Sequence, residues 1–241
     1  MKFIKILIIL ILSFSCSNQK QSEQRILEFE NILGVENSKT LSYLINDFEN
    51  DFLKKQYPNL KSEDAYKVFL IELRDGKTIN GRDFSNKSRE YFNASKLKQD
   101  IYQYPDSVWI LKNSEMDKIE ADSMLFLYDP YPYIKLRYKD LNKNGTYEYS
   151  YSRIHTNIKP NSNFDSIITR RLKIPEYNYS NKYMQALYAV KETDTLIKKY
   201  FDLKQNGGSS PSDFFARGIL ELNPDFNDYF HKRIVVMELI Y

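Results

Sequence analysis

Ile134-Lys135-Leu136-Arg137-Tyr138-Lys139-Asp140-Leu141-Asn142-Lys143-Asn144-Gly145-Thr146-Tyr147-Glu148-Tyr149-Ser150-Tyr151 decides the fold class of this chain. Ile134, Leu136 and Tyr138 alternate with charged residues. Tyr147, Tyr149 and Tyr151 keep the same period of two after Asn144-Gly145. Two alternating runs about an Asn-Gly pair predict an antiparallel hairpin, because Asn and Gly tolerate the positive φ its turn requires. Val108-Trp109-Ile110-Leu111 and Met124-Leu125-Phe126-Leu127-Tyr128 are short apolar runs bounded by polar residues or proline. Together these predict a small antiparallel sheet over residues 107–155.

On both sides of that sheet the period changes to that of a helix. Ile26, Leu27, Phe29, Ile32 and Leu33 form an apolar stretch ending near Gly34. Leu41, Leu44, Ile45, Phe48 and Phe52 recur at helical spacing, and Pro58 stops the run. Ser62 is placed to cap the next helix, with Glu63 and Asp64 in a first turn that favours negative charge. A further helix is expected from Ser85 to Tyr102. After the sheet, Ser180 is expected to cap a helix through Asp202. Ser210-Pro211-Ser212-Asp213 reads as a capping box with proline at the first helical position. Asn223-Pro224 is expected to restart a last helix carrying Phe226, Tyr229, Phe230, Ile234 and Met237. The expected class is α+β: predominantly helical N- and C-terminal parts packing on a small central antiparallel sheet. One domain is expected over residues 23–241.

Glycine is scarce, at seven residues, and its positions exclude several chemistries. The chain has no GxGxxG, GxxxxGK or GxSxG, so the dinucleotide fingerprint, the P-loop and the common nucleophile elbow are missing. Two histidines, His155 and His231, are too few for a His-rich zinc set. Tyrosine is abundant, at 20 residues. A surface on which sugars stack is one reading of that count. The preferred one is composition, since Asn, Lys, Ile and Tyr are all plentiful, and tyrosine suits half-buried sheet positions.

Residues 1–15 differ in kind from the rest. Lys2 and Lys5 precede an unbroken apolar run, Ile6 to Leu12, and Ser13-Phe14-Ser15 leads into Cys16, the chain's one cysteine. This is a signal-segment pattern, and the run is too short to span a bilayer. It resembles the lipobox of bacterial lipoproteins, although Ser13 stands where leucine is commonest. The resemblance implies that Cys16 is acylated and becomes the first mature residue, followed by a polar tether to residue 22. Two or three acyl chains then provide a stable membrane anchor. Residues 1–15 hold two lysines and no acids, so their removal takes the formal charge from +3 to +1. A near-neutral chain lacks the basic footprint of a nucleic-acid partner. The expected location is exported and membrane-anchored, on the periplasmic face or the outer-membrane surface.

Near the C-terminus, Lys182-Tyr183-Met184-Gln185-Ala186-Leu187-Tyr188-Ala189-Val190, Ser210-Pro211 and the run from Asn223 to Ile234 resemble uncharacterised lipoproteins of Bacteroidota, especially flavobacteria. The resemblance covers about the last quarter of the chain and the signal region. It implies a compartment and no activity.

Asp140, Asn142 and Asn144 followed by Gly145 match the first half of a calcium loop, with oxygen ligands at positions 1, 3 and 5 and glycine at 6. The match fails at position 12, where Tyr151 stands in place of the bidentate acid. A hairpin loop is therefore preferred to a calcium site, and no other cofactor is expected. His231 follows Asp228 by three residues, a spacing at which a carboxylate orients an imidazole. A core-edge histidine is preferred. Lys198-Lys199 and Arg170-Arg171 read as solvated faces. The expected function is a non-catalytic binding or structural module of the cell envelope, with an unknown protein or glycan ligand. The alternative is a carboxylate-dependent hydrolase, the class that escapes the motif exclusions and requires two acids across a cleft.

Overall fold

A computed structural model describes residues 20–77, 85–111, 132–141, 146–159, 161–207 and 210–240. The protein is α+β, with helical N- and C-terminal parts and a small antiparallel sheet between them in the chain. It divides into two compact units. One joins Met1–Ile101 to Tyr179–Tyr241, and the other is Tyr102–Asn178.

In the first unit α1 is helical over residues 20–33. Gly34 ends it at φ 87°, a backbone that glycine adopts without a Cβ clash. α2 (Val35–Asp47) follows and runs into a π-helical turn, Phe48–Leu53, and a last α-turn, Lys54–Gln56. α3 spans Ser62–Arg74 with Glu63 and Asp64 in its first turn. Ser62 is its first helical residue, and Lys61 holds the cap position without a side-chain bond. The helix expected from Ser85 to Tyr102 is two: α4 (Asn86–Ala94) and α5 (Lys96–Ile101). Ser95 separates them in extended backbone, its hydroxyl donating to the Phe92 carbonyl and accepting from the Lys98 N–H. Such local bonds compete with the helical ladder.

The C-terminal helices divide for the same reason. α7 (Lys182–Val190) is capped by Asn181, one residue after the expected Ser180. A 3₁₀ turn, Lys191–Thr193, then leads to Asp194, whose Oδ1 accepts the N–H groups of Leu196 and Ile197 and starts α8 (Thr195–Gly207). α9 is Ser212–Glu221 with Pro211 at the cap position, and no capping box forms. Asn223 at φ 50° turns the chain after it. α10 starts at Tyr229, later than expected, because Asp228 caps it by accepting the N–H groups of Phe230 and His231.

Helices from both chain ends share one core. The Phe29 ring of α1 meets Tyr183 of α7 and Phe230 of α10 edge-on, with centroids 6.0 and 5.4 Å apart. Tyr66 of α3 stacks on Phe226 at 4.8 Å, and α9 lies along α3. Aromatic pairs of this geometry add about 0.5–1.5 kcal/mol beyond their buried area. Lys204 of α8 and Glu238 of α10 form a buried ion pair at 2.7 Å, and the Tyr200 hydroxyl donates to the same carboxylate at 3.1 Å.

The second unit holds two sheets. β1 (Tyr102–Gln103) pairs antiparallel with β5 (Glu176–Tyr177). β2 (Ser107–Leu111), β3 (Tyr133–Leu141) and β4 (Tyr147–His155) form the three-stranded antiparallel sheet, with β3 central. Val108, Ile134, Leu136 and Tyr138 form its buried face, packed with Ile154, Ile158 and two residues of α6 (Phe164–Arg171), Ile167 and Ile168. The expected strand at Met124–Tyr128 lies outside the described residues.

Candidate binding face

The β3–β4 register fixes the composition of the opposite face. Ile134 pairs with Ile154 and Leu136 with Ser152 on the packed side. Lys135 therefore pairs with Arg153, Arg137 with Tyr151 and Lys139 with Tyr149 on the other. Trp109 of β2 joins this side opposite Lys135. Tyr147, Tyr149 and Tyr151 are 54, 45 and 55% exposed and Trp109 is 37% exposed, so a face of large rings stands open to water. It is covered at one end, where Tyr133 is buried.

Each cation of β3 lies over the ring diagonal to it. Lys139 Nζ is 3.7 Å from the Tyr147 ring centre, Arg137 Cζ is 4.8 Å from that of Tyr149, and Lys135 Nζ is 5.0 Å from that of Tyr151. All three lean the same way, as expected when strand twist brings one diagonal closer than the other. Arg137 also reaches Trp109, 5.7 Å away, and so is flanked by rings from both neighbouring strands. Its guanidinium donates from Nε and Nη2 to the two oxygens of Asp106, at 2.9 and 3.0 Å, and from Nη2 to Ser107 Oγ at 2.8 Å. The Asp106 carboxyl is held below its ordinary pKa by that bond. Among the described strand positions of the face no other acid is present; Asp140 and Glu148 occupy the opposite parity.

Exposed rings with cations lying over them make a surface that can hold a ligand by ring packing and hydrogen bonding. The chain contains no stronger marker of this face than its own alternation. The tyrosine period is legible in the sequence. That Lys135, Arg137, Lys139 and Trp109 share its side follows only from the register.

The other sequence-predicted residues are distributed elsewhere. Cys16, Asn142 and Asn144 lie outside the described residues, as does the Asp140 side chain. Among the described residues no group of three or more His, Cys, Asp or Glu is placed to hold a metal ion. His155 is placed only through its backbone, opposite Tyr133. Asp228 acts as a helix cap, and His231 pairs instead with Asp194, Nε2 to Oδ2 at 3.1 Å, while Nδ1 accepts the Asp225 N–H at 2.9 Å. That bond makes Nδ1 the acceptor and Nε2 the donor. Burial disfavours the Asp194 charge, but the bonds from His231, Ile197 and Leu196 outweigh it and hold its pKa at about 2. The pair ties the start of α8 to α10.

Three surface grooves each carry one carboxylate in their lining: Glu221 between α8 and α9, Glu30 beside α2, and Asp228 near Lys232 and Arg233. Asp47 and Asp51 do interact, but they stand side by side on one helical face; burial raises the pKa of the first and Lys55 lowers that of the second. Among the described residues no helix is long and apolar enough to cross a membrane. No family model, no curated protein and no solved structure matches this chain.

Proposed function

We propose that the chain is a lipid-anchored protein of the cell envelope, acting as a non-catalytic binding module through the outward face of its three-stranded sheet. The observation that carries this reading is the open row of Trp109, Tyr147, Tyr149 and Tyr151 interleaved with Lys135, Arg137 and Lys139. Exposed apolar rings are usually scattered singly, and a contiguous group marks an interaction surface. Support for the anchor is the Lys2–Cys16 pattern. The hydrolase alternative needs an acid and a second carboxylate about 5–10 Å apart across a cleft. The His231–Asp194 pair is a tether between two helices on this reading.

Metabolic labelling with palmitate tests the anchor. The wild type is expected to take up label and fractionate with membranes, and the Cys16→Ala variant to do neither. Labelling of that variant refutes the anchor. Incubation with envelope polysaccharides tests the module, with chain lengths expected to stay unchanged. Fragment release abolished by a single Asp or Glu substitution refutes it in favour of the hydrolase.

A further inference from the structure

We infer that the groove between α1, α2 and α10 binds the phosphate of a phospholipid headgroup in the membrane that holds the chain; this rests on the Cys16 anchor of the proposed function and uses a surface other than the sheet face. Two independent features meet there. The first is a buried guanidinium with an unfilled edge. Arg233 of α10 is 7% exposed. Its Nη1 donates to the Tyr229 carbonyl at 2.8 Å, and its Cζ lies 3.3 Å from the Tyr229 ring centre. On the other edge Nη2 reaches only Ser42 Oγ, at 3.3 Å, and Nε has no hydrogen-bond partner. Arg137 uses this same edge to grip both oxygens of Asp106. Among the described residues no carboxylate pairs with Arg233. The neighbouring acids have donors of their own: Glu30 accepts the Tyr229 hydroxyl at 2.6 Å, Asp228 caps α10, and Glu49 pairs with Lys232 at 3.2 Å. Burial holds the Arg233 guanidinium below its ordinary pKa. A buried cation without an anion is costly, and two oxygens on the Nε–Nη2 edge would offset that cost.

The second is distance along the chain. α1 begins at residue 20. Four residue steps separate that point from Cys16, and four steps reach at most about 14 Å. Ser22 and Ile26 of α1 line the groove together with Ser42, Asn46 and Arg233. A lipid on Cys16 therefore keeps the groove beside the headgroup layer. Tethering raises the effective concentration of headgroups there to about millimolar. Residues 16–19 are Cys-Ser-Asn-Gln and contain no acid.

Together these features select the occupant. A phosphodiester presents two unbridged oxygens, which match a guanidinium fork. Ser22, Ser42 and Asn46 supply hydroxyl and amide donors in the groove wall, and Ile26 and Ile45 flank them. Inorganic phosphate would fit the same fork. The short tether favours the lipid, because the anchor itself delivers headgroup phosphate to the groove. A bound headgroup gives the helical unit a second point of attachment, beside the acyl chains, and so fixes its orientation on the bilayer.

The test follows thermal unfolding of the full chain, extracted from cells in nonionic detergent, by its helical circular dichroism. The micelles receive phosphatidylglycerol, diacylglycerol or inorganic phosphate at equal concentration. Phosphatidylglycerol is expected to raise the melting temperature by about 5 °C at a hundredfold excess over its Kd, and diacylglycerol to leave it unchanged. Arg233→Lys keeps the charge, loses the fork and is expected to weaken binding by about tenfold. Ser42→Asp places a carboxylate at the open edge. It is expected to melt at least as high as the wild type without lipid and to gain nothing from phosphatidylglycerol, which keeps the test decisive if Arg233→Lys does not fold. An equal rise with inorganic phosphate overturns the lipid as occupant. A full response in Ser42→Asp overturns the site. Palmitate labelling reads the anchor separately: a response in an unlabelled chain overturns the anchor, and a labelled chain without a response overturns the site.

Discussion

Arg137 is the residue on which the sheet face turns, and replacing it gives the sharpest test of how that face is held. The side chain makes two ring contacts, to Tyr149 at 4.8 Å and Trp109 at 5.7 Å. It also forms a two-point ion pair with Asp106 in which both side chains are about a third exposed. Each ring contact at a partly exposed site contributes about 0.5–1 kcal/mol. The ion pair adds about 1 kcal/mol, since two-point geometry raises it towards the top of the range for surface pairs. Arg137→Ala is therefore expected to destabilise the sheet unit by about 2–3 kcal/mol. Arg137→Lys keeps the charge and loses the planar fork, and about half that loss is expected. The assay is urea unfolding followed by Trp109 emission, which reads the sheet unit because tryptophan occurs nowhere else. A double-mutant cycle with Tyr149→Leu should return a coupling of about 0.5–1 kcal/mol. An Arg137→Ala loss below about 0.5 kcal/mol would refute the reasoning: the cation–ring rows would then be surface decoration with no part in holding the face.

The other expectations concern the helical unit and the hairpin loop. Lys204→Met leaves the Glu238 carboxylate buried without its ammonium partner and is expected to cost about 3–5 kcal/mol. Lys204→Met/Glu238→Leu should recover most of it, and a double variant as unstable as the single one in thermal melts would contradict this. Asp194 has a folded pKa of about 2 against an ordinary 3.8. A depressed carboxyl contributes stability that is present above pH 3.8 and lost as pH falls towards 2, at most about 2 kcal/mol and nearer 1 after solvent screening. Melting temperatures measured between pH 5 and pH 2 should fall less steeply in Asp194→Asn than in the wild type, and parallel curves would remove Asp194 from the acid response. Calcium is expected to leave the melt unchanged relative to a chelator, because Tyr151 replaces the twelfth-position acid. A rise in melting temperature that Asp140→Ala abolishes would reinstate the loop as a metal site.

Much of the local structure was legible because its causes are local. The alternation of Ile134, Leu136 and Tyr138 and the apolar spacing of Leu41, Leu44 and Ile45 come from geometry that each segment carries alone. The same holds for the acidic first turn at Glu63 and Asp64. Where these readings shifted, a side chain competed with the backbone. Ser95 divides one expected helix and Asp194 another, because each gives an N–H group a partner outside the ladder. Both residues were visible in the sequence.

The sequence by itself determined the α+β class, the alternation of β3 and β4 and the period of most helices, the exclusion of several cofactor and nucleophile motifs, and an export pattern ending at Cys16. Tertiary structure decided which residues share a surface. A strand of period two has two sides, and the pairing of Lys139 with Tyr149 put the tyrosines on the side of the cations instead of Ile134 and Leu136. A slip of one residue would have reversed that outcome. Tertiary structure also brought Phe29 to Phe230 and Asp194 to His231. Such contacts join positions far apart in the chain, and burial of a common apolar core selects them, which no local pattern encodes.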